Sequence, residues 1–247
     1  MKNGLAHLIV AAAIAATALG PAASCARASL EVAPGARIGS SADFYEALAE
    51  IGSWVQVTPY GRCWRPAHRT DGWRPYANGN WVWTDCGWYW KSAEPWAWAC
   101  YHYGSWTLDT NEGWIWVPGV AWAPAWVCWR VGPIHVGWAP CAPGGHAPAS
   151  TAFVFVNAAH FRDPQTPDTV ISDDPDFINQ TAPVAGNQRE SRTVAGRPQT
   201  ILVNHGPTIS FIEKASGQRF SAVPIDEIRQ PAAGPAPKAN VAGGNHP

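Results

Sequence analysis

The sequence predicts an all-β fold of short antiparallel hairpins. The first observation is that tryptophans come in pairs separated by one residue, and positions i and i+2 share one face of a strand but not of a helix. The second is that glycine and proline each number 23 among 247 residues, which favours short elements joined by turns. The third is a repeat that contains all 16 tryptophans. We expect the hairpins to form a meander or a small open barrel.

The repeat consists of three units of about 26 residues, and we assign it to a Trp-rich domain over residues 41–143, preceded by a linker over 29–40. In the second unit, the aromatic runs Asn80–Thr84 and Gly87–Lys91 are separated by two residues, which is typical of a hairpin. Two series of segments, each beginning with glycine, define the units: 61–64, 87–90 and 113–116, and 52–54, 79–81 and 104–106.

Residues 1–28 have the features of a secretory signal peptide: Lys2, an apolar stretch over 8–19, and then small residues. The apolar stretch is too short for a transmembrane helix, which needs about 20 residues. Two processing events fit the residues, cleavage after Ala28 and lipidation of Cys25, and the sequence leaves both open. We expect export to the periplasm, the cell envelope or the outside, with membrane anchoring only if Cys25 is lipidated.

Tryptophan is absent after residue 138, and the second half has a different pattern. Residues 151–156, 200–203 and 208–212 predict strands, although the segment 206–217 also fits a short helix. The segment 180–197 is polar, so we expect it to be a long surface excursion. We predict a loop-rich, mostly β region over 150–230 and a disordered, Pro- and Ala-rich tail over 231–247.

Charge and motifs exclude several classes of function. The net charge is −1, which provides no basic surface for nucleic acid. No nucleophile elbow, P-loop or HExxH motif is present, and the cysteines and histidines lack metal-ligand spacing. We therefore expect no metal, no cofactor and no enzymatic activity. The acidic residues of the Trp-rich domain fall in turn-like segments: Asp71, Asp85, Glu94, Asp109 and Glu112.

The tryptophans admit two interpretations, and the sequence leaves both open. They pack as a core, or one face of each hairpin stays exposed as a flat aromatic platform that stacks on sugar rings. An arginine near such a platform would donate hydrogen bonds to glycan hydroxyls or carboxylates. Under the second interpretation, the ligand-binding residues are Trp81, Trp83, Trp88, Trp90, Trp96, Trp98, Trp114, Trp116, Arg74 and Arg130.

Five cysteines follow Cys25 in the sequence, and export makes disulfides between neighbouring hairpins the expected state of these residues. An odd number leaves at least one thiol unpaired or joined to another chain. The five are Cys63, Cys86, Cys100, Cys128 and Cys141.

Several segments of the Trp-rich domain carry a resemblance to a known family. They are YGRCWRP at 60–66, WRPY at 73–76, GNWVWTDCGWYW at 79–90, HYGSW at 102–106, GWIWVPG at 113–119, WAPAWV at 122–127 and GWAP at 137–140. Together they resemble the bacterial family of exported Trp-rich proteins that carry a domain of unknown function, some of which are described as FecR-like or as proline-rich exported proteins. The resemblance implies export but no established activity.

The cysteine positions depart from that family. Cys100, Cys128 and Cys141 stand where the family usually has other residues, so the resemblance implies that two of these three pair. The first expectation from it is a Cys100–Cys128 disulfide, which leaves Cys63 to pair with Cys86.

From the sequence we expect a non-enzymatic envelope or secreted protein. Its Trp-rich repeats would be a structural and binding module for cell-wall or extracellular polysaccharide. The alternatives are a protein–protein scaffold in the envelope and a glycan-active hydrolase, which would need two carboxylates about 5–10 Å apart in a cleft.

Overall fold

Short strands dominate the part of the chain that the structure describes. The computed structural model describes residues 38–172, 174–194 and 197–228. The predicted signal peptide with Cys25, most of the predicted linker and the predicted tail lie outside these residues. None of the helices within them is long and apolar enough to cross a membrane.

Four hairpins fill the Trp-rich part of the chain. Two short helices accompany them: α1 (Tyr45–Ala49) precedes the first hairpin, and α2 (Ala97–Cys100) follows the second. The hairpin predicted over Asn80–Thr84 and Gly87–Lys91 is confirmed with the same boundaries. The strands are β1 (Gly52–Val57), β2 (Gly61–Pro66), β3 (Asn80–Thr84), β4 (Gly87–Lys91), β5 (Ser105–Asp109), β6 (Gly113–Val117), β7 (Val127–Val131) and β8 (His135–Pro140).

The second half is a mixture of strands and three short helices. Its elements are β9 (Val154–Asn157), β10 (Ile171–Ser172), α3 (Pro175–Asn179), β11 (Ala182–Val184), β12 (Asn187–Val194), β13 (Arg197–Asn204), α4 (Ile209–Ser216) and α5 (Ile225–Ile228).

The strands form three sheets, with the orders β1-β2-β6-β5, β12-β13-β4-β3 and β10-β9-β8-β7-β11. The predicted all-β class is confirmed, but the hairpins do not follow one another in a single meander or barrel. The third hairpin lies beside the first, where Trp64 pairs with Trp116, and the second is joined to β13. Large aromatic side chains from all three sheets contribute to one hydrophobic cluster, so each sheet buries one tryptophan-bearing face in a shared core.

The structure adds a fourth unit to the three that the sequence predicts. Each hairpin carries a cross-strand tryptophan pair at the matching position, and the second hairpin has an additional pair, Trp83–Trp88. The β7–β8 hairpin carries the fourth of the matching pairs. Its tryptophans follow those of the third unit by 23 and 22 residues instead of about 26, which concealed the relation. The four pairs are Trp54–Trp64, Trp81–Trp90, Trp106–Trp116 and Trp129–Trp138.

The repeated glycines have two structural causes. Gly79 lies against the ring of Trp90, and a Cβ there would be 2.9 Å from that ring and 2.4 Å from the backbone oxygen of Lys91. Gly52 against Trp64 and Gly104 against Trp116 repeat this close approach. The glycines that begin the second strands, Gly61, Gly87 and Gly113, instead have φ values of 78°, 91° and 73°, which turn the chain into the returning strand.

Two segments differ from the sequence predictions, and for a third the structure decides between two alternatives. The polar segment expected as a surface excursion contains β12, which pairs along its whole length with β13. For the segment from Thr208, where a strand and a short helix were both open, the helix is confirmed as α4, because the Thr208 hydroxyl accepts a hydrogen bond from the Phe211 amide at 3.3 Å and caps the helix. Trp98 lies in α2 rather than on a strand face, since Ala97 and Ala99 favour a helical turn after Pro95.

Candidate functional site

The predicted aromatic platform is buried. Of the eight tryptophans assigned to it, seven are less than 9% exposed and only Trp83 is partly exposed. The buried seven are Trp81, Trp88, Trp90, Trp96, Trp98, Trp114 and Trp116. The exposed-platform interpretation is therefore wrong for these side chains, because sheets and loops cover their faces in the shared core.

Some of the buried tryptophans have hydrogen-bonded indole N–H groups and others do not. Several donate to backbone carbonyls that lie outside the regular ladders. Trp64 donates to the Leu48 oxygen at 2.9 Å, and Trp138 donates to the Tyr76 oxygen at 2.8 Å. The ring centroids of Trp81 and Trp129 are 4.5 Å apart. The tryptophans thus form a packed aromatic core, in which four indole nitrogens are buried without a hydrogen-bond partner: those of Trp81, Trp90, Trp96 and Trp98.

The two arginines assigned to ligand binding contact protein carbonyls instead. Arg130, on β7, donates to the Ile178 oxygen at 2.8 Å, to the Thr181 hydroxyl at 3.0 Å and to the Thr181 oxygen. Arg74 lies 3.3 Å from the Phe153 oxygen and 3.4 Å from that of Thr151. Both side chains therefore attach the second half of the chain to the Trp-rich hairpins.

Neither predicted disulfide is present. Cys63 and Cys100 carry thiols, so the Cys63–Cys86 and Cys100–Cys128 pairs are not formed. Cys63 lies in a small apolar cluster with Val57 and Ile115, separate from the main core that contains Cys86 and Cys100. The hairpin register instead brings Cys128 next to Cys141, with the two sulfur atoms 2.9 Å apart.

Three of the acidic residues have structural partners near turns. The Asp109 carboxylate accepts hydrogen bonds from the amides of Glu112 and Asn111, which lower its pKa. Glu112 is paired with Arg65 at 2.9 Å, and Asp85 accepts from the Ile225 amide at 3.0 Å. These contacts cap turns and join elements.

Glu94 is the exception among the acids, because its carboxylate is inside an aromatic cluster. It accepts from the Trp73 indole at 2.6 Å, from the Tyr101 hydroxyl, and from the Ser92 hydroxyl at 3.2 Å. Burial raises its pKa, although these hydrogen bonds oppose the rise. Its turn-like sequence context predicted a solvated acid, and Trp96, two residues later, was the local signal against that prediction.

A surface groove of about 490 Å³ lies beside His205, and we call it the His205 groove. Apolar side chains from three elements form much of its wall: Val131 on β7, Val184 on β11 and Phe211 on α4. His205, Gln188 and Thr208 add polar groups to its lining.

The Trp core positions the segment that forms one side of the His205 groove. The Asn204 side chain accepts from the Trp129 indole at 2.7 Å and donates to the Trp88 oxygen at 3.0 Å. The Trp88 indole in turn donates to the Pro207 oxygen at 2.9 Å. A Cβ at Gly206 would lie 2.8 Å from the Trp129 ring, so only glycine lets the chain pass this close. The groove is therefore held by buried contacts.

A histidine–glutamate contact marks the polar side of the His205 groove. His205 Nε2 lies 2.5 Å from Glu190 Oε1, and both side chains are about one-third exposed. Sequence reasoning missed both residues, because they are 15 positions apart and meet only through the β12–β13 pairing.

A second groove, of about 310 Å³, is lined mostly by residues with polar side chains, and we call it the Lys91 groove. It lies at the open end of the β3–β4 hairpin, where Gly79 and Gln165 form an isolated bridge. Its side chains include those of Asn78, Asn80 and Lys91. Among the described residues, no group of three or more His, Cys, Asp or Glu side chains is arranged to hold a metal ion.

Comparison with known proteins gives one similarity. No curated protein and no solved structure matches the chain. The match that is found covers α1 and all four tryptophan hairpins but not the elements from β9 onward. Residues 45–145 are similar to a family of unknown function, DUF6600.

Proposed function

We propose that this chain is an exported, non-enzymatic protein of the cell envelope that binds an extended segment of a partner protein in the His205 groove. The tryptophan hairpins are the rigid scaffold of this binding protein. The observation that carries the proposal is that the largely apolar groove adjoins β11, the edge strand of its sheet. An extended peptide can run beside an edge strand while its side chains enter an adjacent apolar groove. Because Pro183 of β11 has no N–H, such a peptide would pair there with backbone carbonyl oxygens.

The exposure of the groove residues supports a ligand of this kind. Val184 is 38% exposed although it is apolar, and Gln188 and Thr208 are exposed beside it. Exposed apolar residues next to an edge strand are a liability unless a partner covers them. Export rests on the sequence features of residues 1–28, and the non-enzymatic role is supported by the structural partners of Asp85, Asp109 and Glu112.

Site-specific crosslinking tests the proposal. A photo-reactive p-benzoylphenylalanine replaces Val184 in the full chain, and a matched chain carries it in place of Val120, which is 50% exposed in the loop between β6 and β7. With envelope extract, we expect a discrete protein adduct from position 184 only, and we expect Val131→Arg in the same chain to abolish it by filling the groove with a charge. Equal adducts from position 120, or an adduct that survives Val131→Arg, would contradict the proposal.

A polysaccharide ligand is the second candidate, and the Lys91 groove favours it. Amide and ammonium groups on Asn78, Asn80 and Lys91 are suited to hydroxyl and carboxylate groups of a glycan, whereas the buried tryptophans are not accessible to it. Calorimetric titration with a panel of soluble cell-wall glycans tests this. We expect saturable heat that Asn80→Ala reduces and Gln188→Ala leaves unchanged. Flat titrations across the panel refute it.

A further inference from the structure

The β7–β8 hairpin brings two cysteines into contact. Cys128 is opposite Ala139 in the ladder, and the Cys141 amide donates to the Trp126 oxygen at 2.9 Å just beyond the last paired residues. The two cysteines are therefore diagonal neighbours on one face of the hairpin. Their sulfur atoms are 2.9 Å apart, so an approach of about 0.9 Å would bring them to the length of a disulfide bond.

The contact also makes the two sulfurs chemically unequal. The hydrogen bond between them lowers the pKa of Cys128 and raises that of Cys141, because it stabilises a thiolate on Cys128 and holds the proton on Cys141. Both side chains are partly exposed, so a small disulfide reagent can reach them. A partly exposed thiolate beside a second thiol is the arrangement that reacts by thiol–disulfide exchange.

The other described cysteines have the opposite environment. Cys63 is fully buried, and burial raises its pKa to about 11. Cys100 is 1% exposed, and burial raises its pKa well above the ordinary value. Cys86 is also buried in the main core. Burial protects these three sulfurs from reagents that reach Cys128.

We propose that Cys128 and Cys141 form a disulfide by exchange with an external disulfide of the glutathione class. The Cys128 thiolate attacks one sulfur of the external disulfide and releases one thiolate, which leaves a mixed disulfide on Cys128. Cys141 then loses its proton, and its sulfur attacks Cys128 and releases the second thiolate. Two protein thiols are oxidised by two electrons, and one external disulfide is reduced to two thiols.

The bond would fix the start of β7 to the chain that leaves β8. Val131, at the other end of β7, lines the His205 groove, and Arg130 beside it attaches α3 and β11. Oxidation would thus stabilise the hairpin that carries one wall of the groove. The disulfide itself does not depend on the groove being a binding site, because it requires only the sulfur contact and an oxidant.

Mass mapping of the full chain tests the disulfide. The purified protein is incubated with oxidised glutathione near pH 8, close to the ordinary pKa of a thiol, and remaining thiols are alkylated before digestion. We expect one intramolecular crosslink between the peptides containing Cys128 and Cys141, with a mass loss of two hydrogens. Alkylation of both residues in the folded oxidised protein, a Cys100–Cys128 crosslink, or an intermolecular bond at either residue would each overturn the proposal.

Single substitutions test the assigned order of attack. In Cys141→Ser we expect a stable glutathione adduct on Cys128, since the resolving thiol is missing. In the wild type, where the sulfur contact is intact, we expect a limiting pulse of iodoacetamide to alkylate Cys128 at least about tenfold faster than Cys141, because the contact holds the proton on Cys141. The control Cys63→Ser should oxidise at the wild-type rate. Equal alkylation of Cys128 and Cys141 in the pulse refutes the order, and a crosslink lost in Cys63→Ser refutes the pairing.

Discussion

Asn204 is the residue whose removal best tests how the second half of the chain is attached to the Trp core. Its side chain is fully buried and joins two hairpins: its oxygen accepts from the Trp129 indole at 2.7 Å, and its amide donates to the Trp88 oxygen at 3.0 Å. In Asn204→Ala, both partner groups stay buried without a hydrogen bond. Each unsatisfied group costs about 1–3 kcal/mol, so we expect the free energy of unfolding to fall by about 2–6 kcal/mol.

Urea unfolding followed by tryptophan fluorescence measures this loss. The expected value is a large part of the roughly 5–15 kcal/mol of a typical domain, and Trp88 and Trp129 report directly on the region that is loosened. Asn111→Ala is the matched control, because Asn111 is exposed in the β5–β6 turn, and it should change stability by less than about 0.5 kcal/mol. A loss below about 1 kcal/mol in Asn204→Ala would falsify the argument that these two hydrogen bonds hold the segment.

Three further predictions concern other parts of the core. Gly79→Ala should lower the melting temperature strongly, because its Cβ would lie 2.4 Å from a backbone oxygen. Gly72→Ala has open space around it and should lower the melting temperature much less, by the strain of its positive φ of 71° alone; similar losses would contradict the close-approach explanation. Glu94 has a raised pKa in the folded state, so its contribution to stability is complete below the unfolded-state pKa and is lost as pH rises through the folded-state value. The stability of the wild type relative to Glu94→Gln, measured by urea unfolding, should therefore fall as pH rises above about 4, and a constant difference would refute this. Arg130→Ala should lower the free energy of unfolding by about 2–3 kcal/mol, since it leaves partly buried oxygens at Thr181 and Ile178 without their charged donor; Arg219→Ala, at an exposed position, is the control.

The hairpins were predictable because their signals are local. A two-residue turn between the aromatic runs of β3 and β4 fixes the register, and the alternation of tryptophan fixes which side chains share a face. The same local logic failed at α2 and left α4 undecided between a strand and a helix. In both, a helix start outweighed the strand pattern: a proline two residues ahead of Ala97, and the Thr208 cap ahead of Ile209.

The candidate site was not predictable, because its residues meet only through long-range pairing. His205 and Glu190 come together across the β12–β13 ladder, and Val131 reaches the same groove from the Trp-rich hairpins. The sequence placed ligand binding on the tryptophans, since a hairpin with aromatic residues on one face is compatible with either burial or exposure of that face. Which of the two occurs depends on whether another sheet lies opposite.

The cysteines also show the difference between local sequence signals and long-range pairing. An oxidising compartment and the number of cysteines favour disulfides in an exported chain. The choice of partners depends on strand register, and the β7–β8 ladder brings Cys128 beside Cys141.

The sequence by itself determined the all-β class, the hairpin boundaries around Asn80–Thr84 and Gly87–Lys91, and the need for glycine at repeated positions, because turns and alternating faces are properties of a few consecutive residues. Only the tertiary structure decided that the tryptophan faces point inward, that the third hairpin pairs with the first, and that the second half completes the core. These outcomes depend on which surfaces meet, and burying the large apolar faces of three sheets against one another is what stabilises that arrangement.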